Sequence, residues 1–208
     1  SNPFARIFHE EIKMIVLDIE SSGLDSGKCG IWQIGAVEFE NPKNIFLEES
    51  RIDDDDEVIE EALMVIGKTE ENLRDKKKQS QKQMIENFLR WCEDCDERIV
   101  AGHNIGWDIC FIQNKCIRYG IKGKFSDVIG VRTIDLHTLA SLKYKERNGR
   151  FKMKDGKTGK SDMSLPEVME FCGLKDTRRV IEKGKVVKEG EPHNALTDAK
   201  LTAECFRR

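Results

Sequence analysis

The sequence lacks any apolar run that approaches the roughly 20 residues needed to span a bilayer. Its first residues also contain no apolar segment of the kind that a secretory signal peptide carries. We therefore expect neither membrane insertion nor secretion, and we expect a cytoplasmic, intracellular protein. The first residue is Ser1 instead of Met, which suggests that the natural chain extends further.

The cysteines do not form the pattern of a disulfide framework or of a zinc site. There are 7 of them, an odd number, and the closely spaced pair Cys92 and Cys95 has no second CxxC motif to complete four ligands. Together with the missing signal peptide, this favours reduced and mostly buried thiols. A redox or zinc role for Cys92 and Cys95 is the less favoured alternative.

An excess of positive charge is also missing. The 35 Lys and Arg residues face 38 Asp and Glu residues, which leaves a formal net charge of -3. No overall positive field therefore indicates binding to nucleic acid, and any such binding must be local or carried by metal ions. The acidic run 53–57 lacks the spacing of a calcium loop. We interpret it as a solvated segment that leads into the next helix.

The hydrophobic pattern predicts an α/β fold in a chain of 208 residues, long enough for one globular domain. Alternating or apolar segments between Gly and Asn-Pro breakers predict an antiparallel meander of three strands, at 13–18, 31–40 and 44–52. Helical periodicity occurs in five segments, at 57–66, 80–95, 105–119, 164–172 and 194–206. Strands predicted at 98–101 and 131–134 flank the third helix, which makes a crossover unit of the kind that is normally parallel. The whole is a mixed sheet covered by helices.

Two stretches look like insertions into this core, at 145–162 and 178–190. Residues 145–160 hold seven basic residues, two acidic residues and three glycines, which predicts a mobile surface loop. In the second stretch a Lys-Gly turn lies between two pairs of Val and Ile, which predicts a β-hairpin. Either stretch can contact a polyanion, although a solvated loop is the commoner outcome for such charge patterns.

Asp18 and Glu20 lie at the end of the first predicted strand. If the strand continues to Glu20, its alternation places both carboxylates on one face. A divalent metal ion that both share then removes the repulsion that would otherwise protonate one of them. A strand end that reaches solvent is the alternative, because a short acidic motif occurs often by accident.

Asp108 lies in the first turn of a predicted helix, with Asn104 just before it as the expected N-cap. The helix dipole favours a carboxylate there, so Asp108 also has a purely structural explanation. Asp198 lies inside the last predicted helix, beside its apolar stripe, so it can point toward the sheet and still reach water or a metal ion.

His193 precedes Asp198 by five residues, which is about 140° around an ideal helix. We therefore place His193 in the loop after Pro192, from which it can swing over a site that Asp198 helps to build. An imidazole that titrates near neutrality suits a general base for an attacking water. The alternative is an ordinary surface histidine beside a turn.

Taken together and in this order, the five residues resemble the DEDDh exonucleases, a 3′-to-5′ exonuclease family that includes polymerase proofreading subunits, RNase T and oligoribonuclease. DIESSGLD followed by IWQIGAVEF is similar to the first family motif, AGHNIGWDICFI to the second and HNALTDA to the third. The resemblance covers nearly the whole chain. Asn194 stands where a related subgroup has Tyr, which favours the histidine branch, and Ser21 and Ser22 stand where two threonines are common.

The resemblance implies one exonuclease domain over residues 1–208 with an RNase H-like fold, in which a five-stranded sheet has an antiparallel meander followed by parallel strands. The implied catalytic residues are Asp18, Glu20, Asp108, His193 and Asp198. His193 would be the general base, and the four carboxylates would hold two divalent cations, Mg²⁺ or Mn²⁺. Ligands that are all oxygen suit these hard cations and argue against zinc.

The implied reaction is hydrolysis of the 3′-terminal phosphodiester of single-stranded DNA or RNA, with release of nucleoside 5′-monophosphates. The expected substrate contacts are Ser21, Gly23, Leu24, Trp32, His103, Asn104 and Phe111. Leu24 matches the place where the family packs an apolar side chain on the terminal base, whereas His103 and Asn104 can instead order the start of a helix. Further expected partners are a polymerase and a second copy of the chain. The alternative function is a nucleic-acid-binding or scaffolding module whose catalysis has lapsed, although all five chemical positions are filled.

Overall fold

A mixed sheet of five strands forms the centre of the protein, seen in a computed structural model that describes residues 13–96, 98–121, 124–129, 132–154 and 159–208. The strands are β1 (Ile15–Ser21), β2 (Ile31–Glu38), β3 (Ile45–Glu49), β4 (Val100–Gly102) and β5 (Thr133–Asp135). Their order is β3-β2-β1-β4-β5, antiparallel among the first three strands and parallel from β1 through β4 to β5. This arrangement confirms the predicted antiparallel meander and parallel crossover.

Helices cover both faces of the sheet. Within the described residues they are α1 (Glu60–Ile66), α2 (Glu70–Leu73), α3 (Gln81–Glu93), α4 (Ile105–Arg118), α5 (Lys124–Val128), α6 (Leu136–Asn148), α7 (Leu165–Phe171) and α8 (Ala195–Arg207). Ile15, Leu17 and Ile19 of β1 pack with α3 and α4, whereas Met14 and Val16 pack with α8 on the opposite face. Because strand side chains alternate, Asp18 and Glu20 belong to the face that α8 covers.

A close approach at Gly35 brings the start of α8 onto the sheet. A Cβ atom at this position would lie 2.1 Å from the backbone nitrogen of Leu196, so no larger residue fits beneath the helix. Two residues before Gly35 in β2, the Gln33 side-chain oxygen accepts a hydrogen bond from the Ala195 N–H at 2.8 Å. Gly35 and Gln33 pair in register with Asp18 and Glu20 of β1. The first turn of α8 is therefore held beside those two carboxylates.

Helix α6 replaces part of the mobile loop that the sequence predicted. Residues 145–148 form its last turn, and Gly149 ends it in the left-handed conformation, with φ of 73°. Leu136 and Ala140, four residues apart, are both buried against α7 and α8. This packing stabilises the helix, although its many charged residues led the sequence to predict a loop for its last turn. Within the rest of this stretch, Lys152 contacts Asp162 and Glu167.

The predicted hairpin is confirmed as a separate two-stranded sheet of β6 (Val180–Glu182) and β7 (Lys185–Lys188). Lys183 and Gly184 have φ of 50° and 69°, the positive values that a tight hairpin turn requires. Residues 1–12, the start of the strand predicted at Val131, and residues 155–158 of the first stretch lie outside the described residues. Among the described helices, none combines the length and apolar character needed to cross a bilayer.

The acidic run 53–57 is not simply a solvated segment, which corrects the sequence interpretation. Asp56 is 2% exposed, and its carboxylate contacts the Lys115 ammonium at 2.6 Å. Its other oxygen accepts hydrogen bonds from the Gln81 amide and the Asp53 N–H. The run turns inward because α4 supplies a buried lysine that neutralises one of its carboxylates.

The cysteines are all free, and Cys29, Cys92, Cys95, Cys116 and Cys205 are buried. Burial raises the pKa of Cys92 well above its usual value and the pKa of Cys95 to about 12, so neither thiol is activated. Within the part of the chain that the structure describes, no cysteine belongs to a possible metal-binding cluster. Most of the thiols are buried, as expected, and their reduced state stays a prediction.

Candidate active site

Asp18 and Glu20 share one face at the end of β1, as the sequence predicted, because the strand continues through Ser21. Glu20 is 8% exposed and Asp18 is half-buried. A backbone irregularity follows Glu20, between the pairs that Glu20 and Ser21 form with β2. The two carboxylates thus lie at the point where the strand leaves the sheet and the chain turns toward the surface.

The start of α8 brings His193 and Asp198 to these carboxylates. The Asn194 side chain caps the helix by accepting a hydrogen bond from the Thr197 N–H, and Asp198 lies buried in the first turn. His193 precedes the cap, in the loop where it was predicted, and its Nδ1 lies 3.3 Å from Asp198 Oδ2. One ligand atom from each of Glu20, His193 and Asp198 lies within 4.8 Å of the other two.

Asp108 joins the same region from the other side of β1. It lies in the first turn of α4, and its Oδ1 accepts a hydrogen bond from the Ile19 N–H at 3.0 Å. Asp108 therefore ties α4 to β1 between Asp18 and Glu20. Asn104 occupies the N-cap position of α4, as predicted, but it has a left-handed φ of 54° and its side chain makes no capping hydrogen bond.

The carboxylates crowd together with too little positive charge around them. Burial, followed by the charges of Asp108, Asp198 and Glu20, raises the pKa of Asp18 well above its usual value. Burial and the Asp198 charge raise the pKa of Glu20 to about 8, and burial raises that of Asp108 to about 8. A divalent cation among these groups would favour their ionised forms.

The donor atoms fit such a cation. Asp198 Oδ1 is buried and has no hydrogen-bond partner among the described residues. A buried carboxylate oxygen without a partner is costly in a folded protein, unless a bound ion completes its surroundings. The nearby donors are carboxylate oxygens with one imidazole, a set that suits Mg²⁺ or Mn²⁺ better than a thiophilic metal.

Arg178 is a site residue that the sequence analysis missed. Its Nη1 donates to Asp198 Oδ2 at 2.7 Å, and the side chain is 3% exposed. It comes from the base of the hairpin stretch, for which the sequence predicted a β-hairpin that either contacts a polyanion or is solvated. The doublet Arg178-Arg179 carries no local signal that one of its side chains turns inward, so the sequence alone could not have identified Arg178.

An apolar cleft of about 300 Å³ opens beside Glu20. Ser21, Gly23 and Leu24 line it, and Leu24 is 83% exposed. The floor at Gly23 is tightly packed, because a Cβ atom there would lie 2.6 Å from both Cys29 and Ile59. The predicted contacts that follow β1 in sequence therefore lie together at one opening.

Trp107 also lines this cleft and was missed as a candidate contact. Its Nε1 donates to the Leu24 carbonyl at 3.3 Å, which joins the start of α4 to the loop after β1. Phe111, one helical turn later, lies behind it with ring centroids 4.5 Å apart. The helical spacing could have shown that Trp107 and Phe111 share a face, with Trp107 nearer the carboxylates.

Trp32 and Phe111 are buried, which corrects the expectation that they contact a substrate directly. Phe111 is 0% exposed and supports Trp107 from behind. Trp32 is 2% exposed and packs with Ile52 and Leu73 in a separate cluster. Alternation along β2 turns the Trp32 ring into that cluster, so both aromatic groups contribute to the core.

His103 and Asn104 lie at the end of β4 and do not line the cleft. His103 Nε2 is 2.9 Å from the Met163 carbonyl oxygen, and burial lowers the pKa of this imidazole. The Asn104 N–H donates to Asp135 Oδ1, and Asp135 also caps α6. These contacts agree with the favoured role of ordering the helix start, and a contact with substrate stays a prediction.

The segments that build this site are those of a known family. The sequence profile of the RNase T exonuclease family matches residues 15–206, from the start of β1 almost to the end of α8. The chain belongs to this exonuclease family. Its five predicted catalytic residues all lie within the matched region, in the order and local structure of the DEDDh type.

Two curated relatives of this exonuclease-family chain are much longer proteins. A PolC-type DNA polymerase III from Thermotoga maritima is 28% identical over 198 residues, which is 93% of this chain and 12% of the relative. A PolC-type DNA polymerase III from Pediococcus pentosaceus is 27% identical over 131 residues, 63% of this chain and 9% of the relative. The chain thus spans 9% to 12% of the length of these relatives.

Solved structures of Exonuclease I have the same fold. The Escherichia coli enzyme in complex with a dT13 oligonucleotide matches with a TM-score of 0.67 at 14% identity, covering 94% of this chain and 40% of that chain. Exonuclease I from Methylocaldum szegediense matches with a TM-score of 0.66 at 17% identity, covering 94% and 40%. At these identities the likeness shows the fold alone, and it confirms the RNase H-like sheet with its flanking helices.

Proposed function

We propose that this chain is a metal-dependent 3′-to-5′ exonuclease that removes nucleoside 5′-monophosphates one at a time from single-stranded DNA or RNA. The observation that carries the proposal is the convergence of Glu20, His193 and Asp198 within 4.8 Å, beside an apolar cleft that Glu20 lines. Asp18 and Asp108 share this electrostatic environment, because, in addition to burial, the charge of Asp108 raises the pKa of both Asp18 and Glu20, and the charge of Glu20 raises that of Asp18.

Asp18, Glu20 and Asp198 would hold the divalent cations, and Asp108 would assist through water. When bound, such cations polarise the phosphate and stabilise the charge of an in-line displacement. The chain itself supplies a cluster of four carboxylates, of which Glu20 also lines the cleft. Membership of the exonuclease family supports this assignment, whereas the choice between Mg²⁺ and Mn²⁺ and the number of ions are part of the proposal.

His193 would accept the proton of the attacking water. Burial disfavours the charged ring, but the hydrogen bond and charge of Asp198 outweigh burial, so the pKa of His193 is raised. Its Nδ1 faces Asp198, and its Nε2 lies 2.9 Å from the Arg179 carbonyl oxygen. Proton acceptance at Nε2 therefore requires the ring to turn from that carbonyl toward the cleft, a movement compatible with the loop position of His193.

The cleft would receive the terminal nucleoside. Leu24 and Trp107 offer apolar and aromatic surface to the base, and stacking of this kind tolerates every base because each has a π-face. Ser21 and Gly23 border the same opening. Its volume of about 300 Å³ lies at the lower end of the range for small-ligand sites. These features support a substrate that is selected by its free end more than by its sequence.

The relatives support a partner for the exonuclease. Both curated relatives are PolC-type DNA polymerases, so we propose that the chain works beside or within a DNA polymerase and removes nucleotides during proofreading. RNA as the substrate and a second copy of the chain as a partner both stay predictions.

Digestion of matched DNA and RNA oligonucleotides, each labelled at the 5′ end, tests the proposal. With Mn²⁺ present we expect a ladder that shortens from the 3′ end, and no ladder from the Asp198→Asn variant, which keeps the shape of the side chain. If folded wild-type protein leaves both substrates intact while it still binds them, the lapsed binding module replaces the exonuclease. If Asp198→Asn digests as wild type does, the assignment of metal ligands is wrong.

A further inference from the structure

The two oxygens of Asp198 have different surroundings. Oδ2 accepts a hydrogen bond from Arg178 Nη1 at 2.7 Å and lies 3.3 Å from His193 Nδ1. Oδ1 is also buried, but it has no hydrogen-bond partner among the described residues. One side of this carboxylate is therefore occupied by protein donors, and the other side is left for a ligand that the protein does not supply.

Arg178 is held rigidly where it meets Asp198. Its Nε and Nη2 donate to the two oxygens of Asp176 at 3.0 and 2.9 Å, a forked pair of bonds. Its backbone N–H also donates to Asp176, and Nη2 contacts the Met169 sulfur at 3.6 Å. Because a guanidinium is planar, fixing two of its nitrogens also fixes the direction of the third. Nη1 is thus presented to Asp198 in one orientation.

The same short segment also supports His193. The carbonyl of Arg179 lies 2.9 Å from His193 Nε2, and the Arg179 guanidinium donates to the Met64 carbonyl of α1. The His193 N–H donates to the neighbouring Val65 carbonyl at 3.1 Å. Segment 176–179, at the base of the hairpin, therefore contacts both residues that the start of α8 contributes to the site.

We propose that Arg178 is a positioning residue for Asp198, which holds Oδ2 and so leaves Oδ1 as the one oxygen that Asp198 offers to a divalent cation. The inference rests on the proposed function, since it concerns the same metal site. Partners that orient a ligating carboxylate are part of a metal site, and their loss typically weakens metal binding by about 10–100-fold. Arg178 acts through Asp198 and not on the substrate.

Titration of the metal-free protein with Mn²⁺ by calorimetry tests this role without any measurement of activity. We expect Arg178→Met to weaken Mn²⁺ binding by about tenfold or more. Arg178→Lys restores only part of the affinity, because an ammonium keeps the charge but cannot bind Asp176 through a fork. Arg207→Met is the matched control. It removes an arginine at the far end of α8 that donates to the Phe39 carbonyl, and it leaves Mn²⁺ affinity unchanged.

Asp176→Asn provides a second test if Arg178→Met does not fold. It loosens the anchor of Arg178 without touching Asp198, so we expect a smaller loss of Mn²⁺ affinity in the same direction. In the Asp176→Asn/Arg178→Met double variant, the two losses are less than additive, because both act through one guanidinium. Circular dichroism and thermal unfolding establish that each variant is folded.

Several outcomes would overturn the inference. Mn²⁺ affinity that stays equal in a folded Arg178→Met variant removes the positioning role, and tighter binding shows that Arg178 competes with the cation. An unchanged Mn²⁺ affinity with a raised KM for oligonucleotide shows a direct contact with substrate instead. A crystal structure with Mn²⁺ in which both oxygens of Asp198 bind the ion also contradicts it.

If wild-type protein binds no divalent cation, the proposed function fails together with the inference. If wild type binds Mn²⁺ and digests oligonucleotides while Arg178→Met matches it, only the inference fails.

Discussion

The acidic cluster at 53–56 and the carboxylates at the end of β1 differ in the positive charge that faces them. In the first cluster, Lys115 contacts Asp56, and Arg118 contacts three of the four aspartates, so two protein cations face the group. At the end of β1, Arg178 is the one arginine or lysine that contacts a site carboxylate among the described residues.

The difference separates a structural cluster from a chemical one. Ligand atoms in both places lie close enough together to hold a metal ion. The cluster at 53–56 is conspicuous in the sequence, yet two cations of α4 offset part of its charge and link α4 to the loop before α1. The carboxylates beside β1 are scattered along the sequence. Burial and the charges of neighbouring carboxylates raise the pKa of Asp18 and Glu20, and burial raises the pKa of Asp108. A cation is expected where the protein leaves carboxylates unbalanced.

Lys115→Met tests the balanced cluster and has the largest expected effect. It leaves Asp56 buried without its closest cation, so we expect the free energy of unfolding to fall by about 3–5 kcal/mol. Urea unfolding measures the change. Lys78→Met removes the more exposed partner of Glu49 and serves as the control, with an expected loss of about 1 kcal/mol or less. An equally small loss for Lys115→Met would remove the distinction between the two clusters.

Glu20→Gln tests the carboxylates at the end of β1, and we expect it to change the free energy of unfolding in the opposite direction from Lys115→Met. Without cations at pH 8, we expect the free energy of unfolding to rise on the order of 2 kcal/mol, because a carboxylate with a raised pKa is replaced by a neutral group. Mn²⁺ affinity falls in the same variant, since a ligand is lost. Urea unfolding with and without Mn²⁺ measures both effects. A variant that is less stable without cations would show that Glu20 is already balanced by the protein.

The pH dependence of stability extends the same comparison. The pKa of Glu20 is about 8, above its ordinary 4.5, and the pKa of Asp108 is raised in the same direction. Between pH 4.5 and pH 8 the folded protein binds more protons than the unfolded chain. The free energy of unfolding is therefore greater near pH 4.5 and falls as the pH rises toward 8. Mn²⁺ reverses the trend, because its binding requires deprotonated ligands. Thermal unfolding from pH 5 to pH 8 without cations would contradict the idea if the midpoint rose.

Asp55→Asn has the smallest expected effect. Asp55 is exposed, and its hydrogen bond with Arg118 lowers its pKa. Exposed ion pairs contribute little, so we expect the melting temperature and the number of Mn²⁺ ions bound to stay within error of the wild-type values. A lost Mn²⁺ ion in calorimetry would reveal a metal site at 53–56 and end the contrast between the clusters.

Sequence reasoning found the five catalytic candidates because each lies in a segment whose local pattern is clear. The apolar run before Asp18 predicts a strand, and the apolar stripes around Asp108 and Asp198 predict helices. The resemblance to a known family then supplied their common role. Sequence reasoning failed where contacts depend on residues that are distant along the chain. In the sequence, Arg178 resembles the other basic residues of the hairpin. Trp32 resembles an aromatic residue that stacks on a substrate, although its position in β2 places it in the core.

Local pattern was sufficient for the strands, for most helices and for the identity of the chemical groups, because hydrophobic periodicity and motif spacing are properties of neighbouring residues. Only the tertiary structure determines which charged groups contact one another. The approach of α8 over Gly35, the anchoring of Arg178 by Asp176 and the free oxygen of Asp198 arise between segments far apart in sequence. Hydrogen bonds and Coulomb energies depend on distances in space, and no spacing along the chain specifies them.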